Sequence, residues 1–223
     1  MTNNLLWTGL ALLAGYLIGS LSFAVIVSRL FSLADPRSYG SKNPGATNVL
    51  RSGNRSAALL TLALDALKGY VPVLLVLIYG PRVGLGEATA AFVGLAAYLG
   101  HLWPVFFGFK GGKGVATATG VLFAINPMLG VAALASFALI LLFSRYVSLA
   151  AMVAAAFAPF YQVLIWGVEP AVLAIAVMAL LVIWRHEANM RRLFAGNESK
   201  LGQKAPELAR HAQAKSKFKK GHK

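Results

Sequence analysis

The chain has no cysteine, which excludes disulfide frameworks, thiolate zinc sites and a cysteine nucleophile. It has little acid, with 7 Asp+Glu in 223 residues. No carboxylates cluster as magnesium or calcium would need, and no closely spaced pair of histidines suggests zinc. Charge of any sign is scarce at 13% of residues, against about 25% in soluble domains. What charge there is runs one way, with 21 Lys+Arg and a formal net charge of +14. That balance usually suggests nucleic acid. Nucleic acid is excluded as a partner here, because 58% of residues are hydrophobic and come in runs that no soluble domain of this size could bury. The class that remains is an all-α polytopic membrane protein whose partner is the lipid bilayer.

Crossing about 30 Å of hydrocarbon takes roughly 20 apolar residues as a helix. Fewer serve where a segment is short or covered by protein, and seven segments are candidates, approximately Leu5–Phe31, Ala57–Gly80, Glu87–Trp103, Val115–Ile125, Pro127–Phe143, Val147–Gly167 and Pro170–Trp184. The first is too long for a signal-peptide core and has no basic leader, so it is expected to stay as a helix. Val115–Ile125 is too short to span unaided; it starts deep in the protein or recruits the glycine stretch before it. With seven spans, Arg29, Arg37, Lys42, Arg51, Arg55, Lys110, Lys113, Arg145 and every basic residue from Arg185 onward fall on one face. Only Lys68, inside a helix, and Arg82, on the other side, do not. Basic loops mark the cytoplasmic face, so the N-terminus is expected outside and the C-terminus in the cytoplasm. A six-helix layout would scatter the same charges.

Trp7, Trp103, Trp166 and Trp184 fall at predicted helix ends, where amphipathic rings favour the headgroup layer; core packing is the plain alternative. Gly15 and Gly19 form a Gly-x-x-x-Gly pair that lets another helix approach closely. The membrane domain therefore runs over 1–198. Residues 199–223 read as a basic, disordered cytoplasmic tail, either drawn to anionic headgroups or simply solvated.

Polar residues in a membrane domain are costly and tend to mark function. Three clusters hold them, all on the expected cytoplasmic face. The first is Tyr39–Arg51, with Ser41, Asn43, Thr47 and Asn48 as donors, turns permitted by Gly40 and Gly45, and charge from Lys42 and Arg51. Such a loop suits a phosphate or an oxyanion. Asn43–Gly45 taken alone also reads as a simple turn. The second is His101–Thr117, in which Gly111, Gly112, Lys113 and Gly114 lead straight into an apolar helix. Backbone amides and the positive helix end would face one point, joined by the Lys113 charge. A nucleotide P-loop is excluded: the residue after Lys113 is Gly114 rather than Ser or Thr, and the residue five before Gly112 is Phe107. The third is His186–Glu198, expected to continue the seventh helix, where helical spacing puts His186, Asn189 and Arg192 or Leu193 on one stripe. A lone histidine at a helix end is as well explained as an interfacial residue; its companions make it a candidate for proton transfer. Asp65 and Lys68 are expected to pair with each other or with bundle groups. Arg145 and Ser148 flank a short turn on the same face, where capping and ligand contact are equal alternatives.

Together the clusters resemble the bacterial acyl-phosphate:glycerol-3-phosphate acyltransferases. The family pattern GSxNxGATN matches Gly40–Asn48, HxxPxFxxFxGGKGVAT matches His101–Thr117, and HxxNxxRLxxGxE matches His186–Glu198, in order, with Lys42 and Pro44 at variable positions. The resemblance implies transfer of a fatty acyl group from acyl-phosphate to the 1-hydroxyl of glycerol 3-phosphate, giving lysophosphatidic acid and phosphate. It implies no metal or cofactor, a multi-pass place in the bacterial inner membrane, and a soluble acyl-phosphate-making enzyme as a further partner. It assigns catalytic weight to Ser41, Arg51, His186 and Asn189, the glycerol-phosphate site to the second motif, and a structural part to Glu198. With the reading of the residues themselves, the catalytic set is Ser41, Arg51, Lys113, His186 and Asn189. The substrate-binding set is Gly40, Asn43, Gly45, Thr47, Asn48, Lys110, Gly111, Gly112, Gly114, Thr117, Arg145, Ser148 and Arg192. Asp65, Lys68 and Glu198 are structural.

The chemistry agrees. An acyl-phosphate is an activated anhydride, so the work is holding two repelling phosphates together and stabilising a tetrahedral oxyanion. The base is either His186 or a substrate phosphate. The His-x4-Asp signature of another acyltransferase class is absent, since Phe106 and Arg191 stand five residues after the two histidines. A secondary transporter of a phosphorylated metabolite is the competing reading, but no internal repeat supports it. A head-group transferase would need metal-binding aspartates, and Asp35 and Asp65 are the only two.

Overall fold

A computed structural model describes residues 2–203. The basic tail from residue 204 onward lies outside the described residues. The chain forms α1 (Thr2–Gly19), α2 (Phe23–Leu30), α3 (Ala46–Leu50), α4 (Arg55–Tyr79), α5 (Glu87–Leu102), α6 (Val115–Ile125), α7 (Pro127–Ser144), α8 (Val147–Trp166), α9 (Pro170–Arg185) and α10 (Glu187–Phe194). Two short 3-10 turns, Gly80–Val83 and Val105–Phe107, follow α4 and α5. There is no strand among the described residues.

Local chemistry sets the boundaries. Asn54 caps α4 by accepting the Ala57 N–H at 2.9 Å, and Asn126 caps α7 by accepting that of Met128 at 2.8 Å, with Pro127 as the first helical residue. Pro170 likewise opens α9, and Gly167 ends α8 with φ +83°. Four helices are long and apolar enough to cross a membrane: Arg55–Val83 (α4 with its 3-10 extension), Glu87–Phe107 (α5 with its own), α7 and α8. The count reaches six if the bent pairs α1–α2 (41°) and α9–α10 (54°) each make one span; α6 is apolar but shorter.

Two breaks differ from the sequence reading. Leu5–Phe31 is not one helix: it stops at Gly19, and Ser20, Leu21 and Ser22 link α1 to α2. The broken backbone is satisfied from within, by Ser20 Oγ on the Tyr16 carbonyl (2.8 Å) and by Lys68 Nζ on that of Leu21 (2.7 Å). Such a break is tolerated at membrane depth only where protein covers it. The third cluster does not simply continue the last long helix either. The chain bends at His186, which ends α9 and precedes α10.

Helix α4 packs against α1, α2, α3, α5 and α6, while α7, α8 and α9 form a second layer joined through α6·α7 and α5·α9. Small residues let backbones meet. A Cβ on Gly69 would run into the Thr117 carbonyl and one on Gly120 into that of Ala66, so α4 and α6 cross nearly backbone to backbone. Gly15 and Gly19 give α1 the same access to Val93 and Ala97 of α5. The outward side is greasy: Leu59, Leu142, Phe143 and Leu180 are exposed. Of the tryptophans, Trp103 and Trp184 lie with ring centroids 6.1 Å apart.

Inside, Asp65 and Lys68 pair at 2.8 Å with both side chains buried, and His101 Nδ1 approaches the same carboxylate at 3.7 Å. Thr117 Oγ1 lies 3.2 Å from His101 Nδ1. This polar column joins α4, α5 and α6 directly beneath the glycine loop.

Candidate active site

The loop between α5 and α6 is built to approach its neighbours closely. The Gly112 N–H donates to the His101 carbonyl at 3.2 Å, and a Cβ on Gly112 would strike the His101 ring. Gly114, at φ +76°, is the N-cap of α6, and a side chain there would meet the Tyr98 ring. Tyr98 donates to the Lys113 carbonyl at 3.2 Å. Arg185 secures the other side: Nε donates to the Gly112 carbonyl at 3.1 Å, and Nη2 donates to those of Gly111 and Gly112 at 3.0 Å each. With its carbonyls tied to Arg185, the loop runs into α6, whose first N–H groups carry the positive end of the helix dipole.

Lys113 projects from this loop to the third cluster. Its Nζ donates to Asn189 Oδ1, and Asn189 Nδ2 donates to Glu198 Oε1. The same carboxylate accepts from Ser148 Oγ (2.7 Å) and Arg192 Nε (2.7 Å). One network thus joins a lysine, an amide, a carboxylate, a hydroxyl and a guanidinium from the glycine loop, α8, α10 and the segment after α10. Burial alone would raise the Glu198 carboxyl, but the hydrogen bonds from Asn189, Ser148 and Arg192 outweigh it and hold the group below the usual range. Burial pushes the Lys113 ammonium down to about 8, opposed by Glu198 and reinforced by Arg192, Arg185 and Arg51. Beside them the buried His186 places Nδ1 2.7 Å from the Val182 carbonyl. A carbonyl only accepts, so Nδ1 carries the proton and Nε2 of the neutral ring is the basic nitrogen.

The first cluster folds as a loop around Asn48. Its buried amide donates to the Pro36 carbonyl (2.6 Å) and the Tyr39 carbonyl (3.2 Å) and accepts the Ser41 N–H (3.0 Å). Asn48 therefore shapes the loop with its whole side chain. Gly40 is in the left-handed region at φ +59° with its α-carbon against the Asn48 amide. Gly45 caps α3, and the Pro44 carbonyl lies against Gly112, bringing this loop onto the glycine loop. Ser41, Lys42 and Thr47 are exposed and Asn43 half-buried. Arg51 at the end of α3 donates to Ser199 Oγ at 3.3 Å, reaching the segment that follows Glu198.

Of the residues expected from sequence, Lys113, Asn189, Arg192, Ser148 and Glu198 meet in one network, with His186 beside it and Arg51 reaching the segment next to Glu198. Asp65 and Lys68 lie below the loop and Thr117 faces His101. Arg145 sits apart: its Nη2 donates to the Leu201 carbonyl at 3.1 Å and its own carbonyl accepts the Leu201 N–H at 2.8 Å, so it anchors the chain after Glu198. Sequence reasoning missed Arg185 and Tyr98 as supports of the loop. Arg185 stood next to the third motif but showed only as one more basic residue at a helix end.

The glycerol-3-phosphate acyltransferase family model matches residues 9–196. The protein of that name from Paraburkholderia phytofirmans is 59% identical over 189 residues, 85% of this chain and 88% of the relative. That from Herminiimonas arsenicoxydans is 55% identical over 202 residues, 91% and 98% of the two chains. The crystal structure of PlsY (YgiH), an integral membrane glycerol 3-phosphate acyltransferase, is similar in its glycerol 3-phosphate form, with a TM-score of 0.81 at 38% identity. That match covers 87% of this chain and 96% of PlsY. The lysophosphatidic acid form gives 0.80 at 37%, covering 87% and 95%.

Proposed function

The chain belongs to the glycerol-3-phosphate acyltransferase family, and we propose that it moves a fatty acyl group from acyl-phosphate to the 1-hydroxyl of glycerol 3-phosphate. The hydroxyl oxygen attacks the acyl carbonyl, a tetrahedral oxyanion forms, and the bond from carbonyl carbon to phosphate oxygen breaks. Inorganic phosphate leaves with the electron pair and lysophosphatidic acid remains. The observation that carries this reading is the Lys113–Asn189–Glu198 network with Ser148 and Arg192, set where the glycine loop enters α6.

Each part has a task. Lys113 and Arg51 neutralise phosphate, and Arg192 adds charge while holding Glu198. The α6 amides and Ser41 face the developing oxyanion. Glu198 aims Asn189, whose Oδ1 in turn holds Lys113, so the carboxylate acts through its neighbours. The hydroxyl proton passes to a phosphate oxygen of the substrate pair, and His186 orients the hydroxyl through Nε2. The long apolar faces of the bundle accept the acyl chain. Seven spans, with the N-terminus outside and this site on the cytoplasmic face of a bacterial inner membrane, fit the basic charge that gathers at this end. A soluble enzyme making acyl-phosphate would then meet the same face.

The direct test mixes purified protein with palmitoyl-phosphate and labelled glycerol 3-phosphate, without added metal. Labelled lysophosphatidic acid with stoichiometric phosphate release is expected. Product formed only from a thioester donor would overturn the assignment of the donor.

A further inference from the structure

The end of the bundle away from the glycine loop carries an apolar groove that the proposed reaction does not use. It encloses about 390 Å³ between α1, α4 and α5. Gly15, Val76 and Val93 are buried in its floor, while Trp7, Leu75 and Tyr79 stand exposed along its rim. Helix α1 closes on α5, where Gly15 and Gly19 meet Val93 and Ala97, and leaves a gap against residues 72–79 of α4. The groove stops at Ile18 and Pro72. One turn further along α4, Lys68 donates to the Leu21 carbonyl at 2.7 Å, where α1 breaks from α2. None of the lining residues belongs to the three polar clusters, so the groove ends against this buried polar plug and not in the Lys113 network.

Its dimensions fit one hydrocarbon chain. From Trp7 to Ile18 along α1 the groove runs about 16 Å at 1.5 Å per residue, close to half of the ~30 Å hydrocarbon layer. Over that length 390 Å³ gives a cross-section of roughly 25 Å², room for a single extended chain. Between the Trp7 and Tyr79 ends the walls offer no polar side chain, which excludes a polar ligand. The open end is different. Trp7 and Tyr79 are ring types that favour the headgroup layer. The turn Gly80–Val83 lies beside the first turn of α1, with Gly84 against the Asn4 amide, and puts Arg82 at the same end. The exposed Arg82 guanidinium lies over the Tyr79 ring at 5.3 Å and forms no ion pair among the described residues. Apart from Lys68 inside α4, it is the one basic residue that the seven-span layout keeps off the face of the glycine loop. A planar fork for a phosphate, set at headgroup level above a slot one chain wide, matches the two ends of a phospholipid. No carboxylate lines the groove to receive the ammonium of a zwitterionic headgroup.

We propose that this groove is a phospholipid-binding site, seating one acyl chain of an anionic phospholipid between α1 and α4 with its phosphate on Arg82. On the sidedness argued above, that lipid belongs to the outer leaflet. The bound chain fills the gap that α1 leaves against α4 and so braces the first helix. The inference stands apart from the acyltransferase reading: neither acyl donor nor acceptor enters it, and the catalytic network lies at the other end of the bundle.

The test is native mass spectrometry of the full chain, delipidated in detergent and titrated with dioleoyl phosphatidylglycerol. Wild type is expected to retain one lipid. Arg82→Gln should need roughly tenfold more lipid or worse, since a charge-assisted contact to phosphate is lost. Phosphatidylcholine should bind wild type more weakly, and Arg82→Gln should bring the two lipids together. Ala14→Phe lays a ring into the groove from an exposed position of α1, so it should abolish retention without lowering the melting temperature. Leu142→Phe, on the exposed side of α7, should retain the lipid as wild type does. Arg82 and Ala14 are both exposed, so lost retention in a variant that melts with wild type is loss of the site. Phosphatidylglycerol that wild type does not retain, or that wild type, Arg82→Gln and Ala14→Phe retain equally, overturns the proposal. So does its displacement by palmitoyl-phosphate together with its loss in Lys113→Ala, which would put the bound lipid in the catalytic site. Failure of the turnover assay would leave lipid retention standing, and failure here would leave that assay untouched.

Discussion

Raising the pH should disarm the site through Lys113. Its ammonium is the positive group nearest the amide of Asn189, and burial first, then the surrounding arginines, bring its pKa to about 8 despite Glu198. The charged form is the one that attracts phosphate. A lowered pKa means that this form is complete on the acidic side and lost as pH climbs through about 8. Above that point the charged fraction of free enzyme falls about tenfold per pH unit, and kcat/KM for glycerol 3-phosphate should fall with it. A bound dianion stabilises the ammonium, so the corresponding limb in kcat should lie at higher pH.

Two variants separate this cause from general alkaline damage. Lys113→Arg keeps its charge across the whole range, so its profile should lack the limb. Its plateau should be lower, because a guanidinium cannot replace a compact ammonium against Asn189. Lys113→Ala removes charge and donor together and should lose on the order of 10²- to 10³-fold in turnover, the usual effect of deleting one preorganised donor. The assay is initial-rate lysophosphatidic acid formation from about pH 6 to about pH 10, with melting temperature followed in parallel. A wild-type profile flat to the alkaline end, or an unchanged limb in Lys113→Arg, would refute the reasoning.

The buried pair gives a second expectation: Asp65→Asn strands the Lys68 charge and should cost about 3–5 kcal/mol, whereas Asp65→Leu with Lys68→Met should recover most of it. Thermal unfolding in detergent decides, and a single variant as stable as wild type would contradict the pairing. Asn48→Ala removes three hydrogen bonds, each contributing about 0.5–1.5 kcal/mol net, so the 36–48 loop should become open to limited proteolysis and KM for glycerol 3-phosphate should rise. His186→Asn should keep substantial turnover and its basic pH limb if a substrate phosphate takes the proton; abolished activity with intact glycerol 3-phosphate binding would make His186 the base. Because the chain has no cysteine, single cysteines at Asn4 and Ser38 can map sidedness. An impermeant maleimide applied to intact cells should label Asn4→Cys and spare Ser38→Cys, and the reverse pattern would invert the topology.

Hydropathy made the helices legible because burial in lipid needs only an apolar run, and six of the seven apolar segments each fall on one helix while Leu5–Phe31 falls on two. It could not show the break at residues 20–22. Leu21 is as apolar as its neighbours, and what permits the interruption is a lysine 47 positions away that donates to its carbonyl. The site was legible to the extent that its residues are adjacent in sequence. Gly111 to Gly114 before an apolar helix announces convergent amides, and Lys113 announces a charge beside them. The uses of Asn48 and Arg185 were hidden for one physical reason: each serves backbone carbonyls, and a carbonyl has no residue type. Asn48 reads as a ligand donor until the loop curls back to give it the carbonyls of Pro36 and Tyr39.

Arg185 carries the consequence furthest. It reads as an interfacial cation until the glycine loop is seen to turn two carbonyls towards it. A loop rich in glycine has little stiffness of its own, and ordering each such residue costs more entropy than ordering any other. The Gly112 N–H is already given to the His101 carbonyl, so the amides left for an oxyanion, from Lys113 onward, are preorganised only if the loop that leads to them is fixed by something rigid. The guanidinium behind Gly111 and Gly112 is that fixture. The conformational freedom that lets the glycines approach a phosphate and the arginine that removes most of that freedom are therefore two halves of one requirement, and only the first half is written in the motif.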